Sequence, residues 1–594
     1  MRTKDFYQIV TFVFLLSTTN CRTPAPEIRG KTESPTGSDH LPLATTAKQT
    51  SRPADWPVEA YGQHFAISTQ GRAATQAARA IFAKGGNIID ATIAASFAIS
   101  VERPHSTGIG GGGFLLFHQA TTGKTYAIDF RERAPAAAFE KMFQDAKGEV
   151  IDKLSIDGAR AAAVPGLVAG LTEIHQKFGH LSWDELLRPA IDLAEKGFAV
   201  YPSLHRALVA RAAVLRRDPE ALRIFFDAAG DPLPEGSILR QTELAKTLKL
   251  IAKSGRNAFY RGKIAKDLNQ FMLQHHGLIT AADLAQYKVH WWEPLRGTFA
   301  GYEIYTMPPP SSGGVHVLQV LNILENLNLA KSGYLSLPAI HYGAAALQLA
   351  FADRAYYLGD PGFVRVPSQQ LITKKYAEAR RALIPADRAL KTADVHAGEI
   401  RESDDTTHFS MIDEQGNAVA STQTVNGWMG AGMVVSGTGI VLNNEMDDFS
   451  AKVGSANLFG AIGGGKNSIA PGKTPLSSMS PTLLMKDNKV VLSLGAPGGT
   501  RIISCVAQTI LNWAELKLPL VESISAVRYH HQWQPDVLTI DPPGPAAPVL
   551  RELRGMGYEV KLEDVPCFVM AVESDGQRLH GVADPRDIGS SAAN

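Results

Sequence analysis

Residues 401–426 read RESDDTTHFSMIDEQGNAVASTQTVN, and the spacing within this stretch decides the fold around it. Two strand-forming runs, HFSMID and AVASTQTV, flank Glu-Gln-Gly, and a three-residue loop with glycine in the left-handed conformation commonly joins antiparallel strands. Pairing of Asp413 with Asn417 would place Thr406 opposite Thr424. Because side chains alternate between the two faces of a strand, one face of this hairpin carries only small and polar residues: Thr406, His408, Ser410, Ala420, Thr422, Thr424 and Asn426.

The first of the two adjacent threonines, Thr406 and Thr407, is a candidate nucleophile. Threonines favour strands in general, so the pair by itself indicates no more than a strand. A threonine hydroxyl becomes a good nucleophile when a base is attached to it or adjacent. Cleavage of the chain directly before Thr406 would create an α-amino group with a pKa of roughly 7.7–8.0, which is such a base near neutral pH.

The composition is that of a soluble globular enzyme. Of the 594 residues, 45% are hydrophobic and 20% are charged, with 53 glycines and 34 prolines, which suits neither a disordered chain nor a membrane protein. The length allows one very large domain or two to three cores. The 59 Lys and Arg residues nearly balance the 58 Asp and Glu residues, so we expect no nucleic acid as a partner.

The N-terminal residues differ in composition from the rest of the chain. Residues 1–21 resemble a secretory signal, with basic residues before an apolar run that is shorter than the roughly 20 residues a membrane-spanning helix needs. We therefore predict an exported, periplasmic protein. Cys21 leaves two alternatives open, a signal that is simply removed or a lipoprotein tethered to the membrane through lipidated Cys21. Residues 22–54 are rich in Pro, Ser and Thr and indicate a flexible linker.

Two Ala-rich helices are predicted between residues 71 and 100, with a break at Gly85. The glycine run that follows, STGIGGGGFLLFHQ (106–119), is a poor match to a phosphate loop. Its glycines precede a strand, and no Gly-Lys-Ser or Gly-Lys-Thr follows them. Close packing of the backbone explains this run better.

Helical patterns occupy residues 159–290 and, after the loop PPPSSGG, continue to about Leu383. From Thr407 onward the pattern changes to strands and glycine-rich turns. Periodicity alone therefore predicts a chain of mixed α and β structure. Cys505 and Cys567 are too few for a disulfide scaffold or a cysteine-based zinc site, and the sequence leaves open whether they form a bridge.

The stretch DTTHFSMIDEQGNAVASTQTVN (405–426) resembles the start of the small subunit of the gamma-glutamyltransferases (gamma-glutamyltranspeptidases), a family of N-terminal nucleophile hydrolases. Further segments resemble this family in the same order along the chain, and together they extend the resemblance over about residues 57–587. They are ERPHSTGIGGGGF (102–114), DFRERAP (129–135), LNNEMDDFS (442–450), PLSSMSPT (475–482), GAPGGTRI (495–502), RYHHQWQPD (528–536) and ADPR (583–586).

The resemblance implies a fold and a maturation step. The implied fold class is α+β, a four-layer αββα sandwich that two self-cleaved subunits form jointly. The precursor would cut itself between Asp405 and Thr406, which gives a heterodimer of a large subunit (55–405) and a small catalytic subunit (406–594). Thr406 would serve first in this cleavage and then as the catalytic nucleophile, with its own amine as the general base. Thr424 would form a hydrogen bond in the Thr406 region.

The resemblance also implies the substrate-binding residues. Gly498 and Gly499 match the backbone donors that stabilise an oxyanion, a contribution of about 3 kcal/mol for each donor. Arg131 matches the arginine that binds the α-carboxylate of a gamma-glutamyl group, since its planar fork suits two oxygens. The serines that assist it are Ser477 and Ser478. The residues on the side of the α-ammonium are Asn426, Glu445 and Asp448.

We expect no metal and no organic cofactor. The pair His530-His531 lacks further ligands at a suitable spacing, so a structural role is favoured. The sequence departs from many bacterial members of the family at Phe459, where they carry a tyrosine in the lid loop. The hydrogen bond of that tyrosine to the counterpart of Asn426 would be absent, which affects substrate retention and the balance between hydrolysis and transfer.

The expected reaction is cleavage of the gamma-glutamyl amide bond of glutathione and related donors through an ester on Thr406. The group would pass to water, an amino acid or a peptide. One alternative is an acylase on the same scaffold that acts on glutaryl or cephalosporin side chains, which have no α-ammonium. Another is a secreted binding lipoprotein that kept the fold and lost the chemistry.

Overall fold

The hairpin predicted from the sequence lies at the centre of the computed structural model. The structure describes residues 57–395, 406–455, 457–458 and 464–594. Thr407 pairs with Gln423, as the predicted register requires. At the turn, the Asp413 amide donates to the Asn417 carbonyl at 3.1 Å, and Gly416 has a φ of 85°. The predicted register and left-handed glycine are both confirmed.

The elements are numbered in chain order. The strands are β1 (Glu59–Gly62), β2 (Phe65–Thr69), β3 (Gly112–Gln119), β4 (Lys124–Asp129), β5 (Phe198–Ala199), β6 (Ile238–Leu239), β7 (His290–Trp292), β8 (Leu295–Phe299), β9 (Tyr302–Thr306), β10 (Thr407–Asp413), β11 (Ala418–Thr424), β12 (Val434–Val435), β13 (Ile440–Val441), β14 (Thr482–Lys486), β15 (Lys489–Gly495), β16 (Tyr529–His530), β17 (Leu538–Ile540), β18 (Val560–Leu562), β19 (Met570–Ser574), β20 (Leu579–Ala583) and β21 (Ser590–Ala593).

The α-helices are α1 (Arg72–Ala83), α2 (Ile88–Glu102), α3 (Leu167–Phe178), α4 (Trp183–Lys196), α5 (Pro202–Leu215), α6 (Pro219–Phe225), α7 (Thr242–Ser254), α8 (Arg256–Tyr260), α9 (Lys263–Gln274), α10 (Ala281–Gln286), α11 (Gly313–Leu324), α12 (Leu329–Ser332), α13 (Leu337–Tyr357), α14 (Ser368–Leu371), α15 (Lys374–Arg381), α16 (Arg501–Ile510), α17 (Leu520–Ser525) and α18 (Ala547–Gly555).

Two large sheets lie face to face. Sheet A has the strand order β1-β20-β19-β15-β14-β9-β8, and sheet B has the order β21-β2-β10-β11-β3-β4-β7. Hydrogen bonds connect them: Ser410 Oγ of β10 donates to the Met570 carbonyl of β19 at 3.2 Å, and Ser493 Oγ of β15 donates to the Val419 carbonyl of β11 at 2.8 Å. The small, polar face of the hairpin therefore lies between the sheets. In both sheets, strands from before and after position 405 are direct neighbours.

Helices cover the outer face of each sheet. One buried cluster joins the outer residues of sheet B, such as Phe409 and Met411, to α1 and α2 through Ile81 and Ile93. A second cluster joins sheet A to α11, α13 and α16. Burial of these apolar faces contributes roughly 25 cal/mol for each Å² removed from water. The layers are helix, sheet, sheet and helix, so the four-layer αββα prediction is confirmed.

The glycine run before β3 packs tightly against the hairpin. Gly112 of β3 pairs with Thr424 of β11. A side chain at Gly111 would place its Cβ 1.9 Å from the Thr424 carbonyl oxygen, and one at Gly113 would come within 2.3 Å of the Thr422 carbonyl oxygen. The prediction of close backbone packing is therefore confirmed.

The C-terminal part contains more helix than the sequence pattern predicted. Residues 501–510 form α16, although the β-branched run RIISCVAQTI also suits a strand. The pattern was ambiguous because a short apolar run fits either element, and its packing on sheet A decides. A disulfide joins Cys505 of α16 to Cys567, which answers the question the sequence left open.

Several predicted features lie outside the described residues. These are the signal (1–21), the linker (22–54), Asp405 at the predicted cut and Phe459 of the lid loop. In the part of the chain that the structure describes, no helix is long and apolar enough to span a bilayer.

Candidate active site

Almost all of the predicted site residues meet in one cleft at the Thr406 end of the central hairpin. Its lining includes the predicted residues Arg131, Thr406, Thr424, Asn426, Glu445, Asp448, Ser477, Ser478 and Gly499. Gly498 precedes Gly499 in the same loop. Five further lining residues were not predicted from the sequence: Arg354, Asn457, Met479, Thr500 and Ile502.

The two adjacent threonines have different surroundings. Thr406 lines the cleft, on the face of the hairpin that lies between the sheets. Thr407 lies on the opposite face, where its Oγ1 is 2.9 Å from Ser106 Oγ. The alternation of side chains along the strand therefore separates a threonine in the cleft from a structural one. Thr424 also lines the cleft. The backbone amide of Asn426 donates to Thr424 Oγ1 at 2.8 Å, which holds this hydroxyl at the cleft.

His408 supports the hairpin from between the sheets. Its Nδ1 is 2.8 Å from Thr422 Oγ1, and its Nε2 is 3.0 Å from Ser410 Oγ. Burial lowers the pKa of His408 to about 3, so its imidazole is neutral at physiological pH. Its ring fills the space beside Gly495, where a Cβ would come within 2.4 Å of it. His408 therefore links the hairpin to the strand that leads into the Gly498–Gly499 loop.

The Gly498–Gly499 loop turns directly from β15 into α16. Gly498 has a φ of 128° and Gly499 a φ of 53°, which a residue with a side chain rarely adopts. The Arg501 amide donates to the Gly498 carbonyl at 3.0 Å, which begins the helix. Thr500 Oγ1 donates to Gln532 Oε1 at 3.1 Å and holds the same loop from its other side.

Arg131 and three carboxylates form one buried cluster at the cleft. The Arg131 guanidinium donates to Glu445 through Nη1 and to Asp448 through Nη2. Glu132 Oε2 lies 3.7 Å from Arg131 Nη1, and all four residues are buried. A buried charge without a partner costs several kcal/mol, so the groups pair directly.

Burial and pairing shift the pKa values in opposite directions. Burial alone would lower the pKa of Arg131, but the neighbouring carboxylates, with Glu445 first, raise it above its usual value. Burial raises the pKa values of Glu445 and Asp448, although Arg131 opposes this shift. Burial likewise raises the pKa of Glu132 to about 7. The cluster therefore holds its protons more tightly than exposed carboxylates would.

Arg354, which no sequence motif indicated, brings a second cation to the cleft. Its Nη2 donates to Ser478 Oγ at 3.2 Å, and its Nε donates to Ser312 Oγ at 3.0 Å. The Ser312 amide in turn donates to the Ser477 carbonyl at 2.7 Å. The signal that could have revealed it was an arginine within the mostly apolar stretch LQLAFADRAYY (347–357), since such a residue is rarely buried without a specific partner.

Asn457 and the histidine pair His530-His531 have defined partners. Asn457 Nδ2 donates to Asp448 Oδ1 at 3.0 Å. His530 Nδ1 is 2.6 Å from Ser504 Oγ, and His531 Nε2 is 3.2 Å from Asp536 Oδ1. These contacts agree with the structural role predicted for the histidine pair.

Two stacked sheets between helices, with a threonine at the start of a central strand that lines a buried cleft, define the class of N-terminal nucleophile hydrolases. Residues 74–594 match the family model described as gamma-glutamyltranspeptidase, and the chain belongs to this family. It is an enzyme of the gamma-glutamyl transferase and hydrolase type.

Comparison with individual proteins supports this assignment. The chain is 42% identical over 519 residues to the glutathione hydrolase proenzyme of Escherichia coli (strain K12), covering 87% of this chain and 89% of that protein. It is 41% identical over 487 residues to the acylase ACY 1 proenzyme of Pseudomonas sp. (strain SE83), covering 80% and 85%. The cephalosporin acylase from Bacillus halodurans has a TM-score of 0.80 at 26% identity, covering 92% of this chain and 99% of that one.

Proposed function

We propose that the enzyme removes the gamma-glutamyl group from glutathione and related gamma-glutamyl amides and passes it to water, an amino acid or a peptide. The single observation that carries this proposal is the buried cluster of Arg131, Glu445 and Asp448 in the same cleft as Thr406. The cluster has both charges that a gamma-glutamyl group requires, because this group carries an α-carboxylate and an α-ammonium on one carbon.

Binding would proceed by an exchange of ion pairs. The substrate carboxylate takes the fork of Arg131, and the substrate ammonium takes the carboxylates of Glu445 and Asp448, so that no buried charge is left unpaired. Ser478 assists the carboxylate, and Asn426 assists the ammonium. The gamma-carbonyl at the other end of the group then reaches Thr406.

The reaction is an acyl transfer in two halves. Thr406 Oγ attacks the gamma-carbonyl carbon while its proton passes to the α-amine of the same residue. The backbone of Gly498 and Gly499 stabilises the oxyanion. Collapse of this intermediate breaks the amide bond, and the departing amine takes the proton. Water or an acceptor amine then attacks the Thr406 ester and releases the gamma-glutamyl group.

The proposal includes maturation and localisation. The precursor cuts itself between Asp405 and Thr406, which frees the amine that the mechanism requires, and residues 55–405 and 406–594 stay together as a heterodimer. Supporting this, strands from both segments are neighbours in each sheet. Export follows from the signal-like residues 1–21, and the buried Cys505–Cys567 disulfide suits an oxidising compartment.

A second candidate is an acylase that acts on glutaryl side chains, which the similarity to the two acylases favours. Such a substrate brings a carboxylate but no ammonium. When Arg131 turned towards it, Glu445 and Asp448 would lose their cation and gain none, at a cost of several kcal/mol. The charge cluster therefore favours the gamma-glutamyl substrate.

A comparison of two chromogenic amides tests this proposal. Gamma-glutamyl-p-nitroanilide and glutaryl-p-nitroanilide differ only in the α-ammonium. We expect kcat/KM to favour the first by at least about 100-fold, because this ratio corresponds to the free energy of one buried ion pair. Asp448→Asn should lower kcat/KM for the gamma-glutamyl amide at least about tenfold and raise it for the glutaryl amide, because the substitution removes a carboxylate that a glutaryl substrate would leave without a cation. Faster turnover of the glutaryl amide by the unaltered enzyme would establish the acylase instead.

A further inference from the structure

The disulfide between Cys505 and Cys567 lies directly behind the Gly498–Gly499 loop. Cys505 is in the second turn of α16, the helix that begins immediately after this loop. Cys567 belongs to the segment 565–569 that precedes β19. The Cα atoms of the two cysteines are 6.7 Å apart, and the bridge closes a loop with a sequence separation of 62. Both cysteines are fully buried.

Gly498 packs directly against Pro566 and Cys567 of the disulfide-bonded segment. A Cβ on Gly498 would lie 2.6 Å from the Pro566 carbonyl oxygen, 2.7 Å from Cys567 Cβ and 3.1 Å from Cys567 Cα. The backbone of Cys567 therefore forms the wall against which Gly498 rests. A shift of that wall would move the loop as well, because interiors are close-packed and transmit displacement.

The wall is anchored by polar contacts on the side away from Gly498. Arg528 donates to the Cys567 carbonyl through Nη1 and forms a buried ion pair with Asp584 at 2.6 Å. The Val569 amide donates to Asp584 Oδ2 at 3.0 Å, and the Val565 amide donates to Asp541 Oδ1 at 2.6 Å. These contacts fix the segment 565–569 to residues that flank β16, β17 and β20, and the disulfide fixes α16 to that segment.

We propose that the Cys505–Cys567 disulfide positions the backbone of Gly498 and Gly499 for oxyanion stabilisation. Cys505 and Cys567 are positioning residues, because they act through the loop and do not touch the reacting atoms. This inference rests on the proposed function, which gives that loop its role. The disulfide joins α16, which begins directly after the loop, to Cys567, whose backbone lies against Gly498.

A noncovalent set of contacts holds the same loop, so loss of the disulfide should loosen it without unfolding the protein. Thr500 Oγ1 donates to Gln532, which is 2.8 Å from His530 Nε2. His530 also contacts Ser504 of α16. These hydrogen bonds contribute about 1 kcal/mol each, whereas the covalent bridge keeps Cys505 and Cys567 together even when such hydrogen bonds open.

The test compares the unaltered enzyme with the double variant Cys505→Ala/Cys567→Ala, after a gel confirms that both are fully processed. Removal of one oxyanion donor costs about 100-fold to 1000-fold in kcat, and a loosened donor should cost less. We therefore expect kcat for gamma-glutamyl-p-nitroanilide to fall about tenfold with KM unchanged. Reduction of the unaltered enzyme in mild denaturant should give the same fall, and the double variant should not respond to reductant.

Leu553→Ala is the control for a general loss of stability. Leu553 is a fully buried residue of α18 that does not line the cleft, and Leu→Ala changes in cores cost about 2–5 kcal/mol. This variant should lower the melting temperature and keep the kcat of the unaltered enzyme. A kcat of the double variant within about twofold of the unaltered enzyme, or an equal fall in Leu553→Ala, would overturn the proposal.

Amide hydrogen exchange separates this proposal from the proposed function, because it needs no substrate. We expect the amides of residues 496–502 to exchange at least about tenfold faster in the double variant, while the hairpin amides of β10 and β11 keep their protection. Unchanged protection of 496–502 would overturn the positioning role by itself. If the unaltered enzyme failed to turn over gamma-glutamyl donors, the proposed function would fail and the exchange result would still stand.

Discussion

His408 and Thr422 face each other across the central hairpin, with His408 Nδ1 2.8 Å from Thr422 Oγ1. This pair fixes the register of β10 and β11 two residues from Thr406 and Thr424. Residues two apart share a face of a strand, so all four side chains lie on the same face. The neutral imidazole and the Thr422 hydroxyl share this hydrogen bond. His408 therefore holds the strand at whose start Thr406 lies.

Thr406→Ala should yield an uncleaved and inactive precursor, because the substitution removes the hydroxyl that would cut the chain and the amine that the cut would release. A denaturing gel should show a single band, and release of p-nitroaniline should fall to the background rate.

Thr407→Ala is the matched control for this prediction. Its hydroxyl contacts Ser106 on the opposite face of the strand at 2.9 Å, so processing and activity should persist with a loss of stability of about 1 kcal/mol. Normal subunits in the Thr406→Ala protein would contradict the role of Thr406 in cleavage.

Arg131→Lys should raise KM for the gamma-glutamyl donor by about tenfold or more and leave processing intact. Lysine keeps the charge that Glu445 and Asp448 require but loses the fork that contacts both at once. Steady-state kinetics on the processed enzyme measure this effect.

The neighbouring Arg133 provides the comparison. It lies 3.7 Å from Asp129 and does not line the cleft, so Arg133→Lys should leave KM within about twofold of the unaltered enzyme. Equal values of KM in the enzyme and in Arg131→Lys would argue against a role of Arg131 in binding the carboxylate.

The sequence was most informative where local rules act. The loop Glu-Gln-Gly set the register of β10 and β11, since Gly416 at φ 85° joins strands whose pairing then follows residue by residue. The glycine run before β3 was correctly read as close packing, because a Cβ at Gly111 has no room. Family motifs then indicated the residues that now share the cleft.

The sequence could not reveal contacts that only the tertiary fold creates. Arg131 and Asp448 are 317 positions apart, and nothing in either motif shows that they form a direct ion pair. Arg354 resembled an ordinary helical residue, because its partner Ser478 is on a distant segment. The pairing of Cys505 with Cys567 likewise depends on how α16 packs beside residues 565–569.

Arg354→Gln should raise KM for the donor by about threefold to tenfold with a smaller effect on kcat. The substitution removes a cation that orients Ser478 and lies near Asp448, so both the serine and the charge balance of the cleft change. Donor titrations with the processed variant measure KM and kcat separately.

Arg380→Gln is its control, since Arg380 pairs with Asp353, the residue next to Arg354, at 3.0 Å and does not line the cleft. A rise in KM that both variants share would mean that α13 has been disturbed as a whole and would remove the case for Arg354 at the donor site.

Asp413 at the hairpin turn should make folding stability fall as the pH rises through weakly acidic values. Burial raises the pKa of this carboxyl from 3.8 to about 6, although hydrogen bonds from Asn417 oppose the shift. Between these two values the folded state holds a proton that the unfolded state has released, so the stability it contributes is complete below about pH 4 and is lost as the pH approaches 6. The slope is at most about 1.4 kcal/mol for each pH unit.

Melting temperatures of Asp413→Asn, measured against the parent protein from about pH 4 to pH 7, test this dependence. Both proteins should carry Thr406→Ala, so that one continuous chain unfolds and the concentration of separate subunits has no effect. The parent should lose about 1–3 °C relative to Asp413→Asn over this range, since asparagine does not titrate.

In Asp575, hydrogen bonds from the turn amides of Gln577 and Arg578 lower the pKa, so Asp575→Asn should differ from the parent only at lower pH and in the opposite direction. Parallel curves for the parent and Asp413→Asn would show that the turn carboxylate ionises in the folded chain as it does in water.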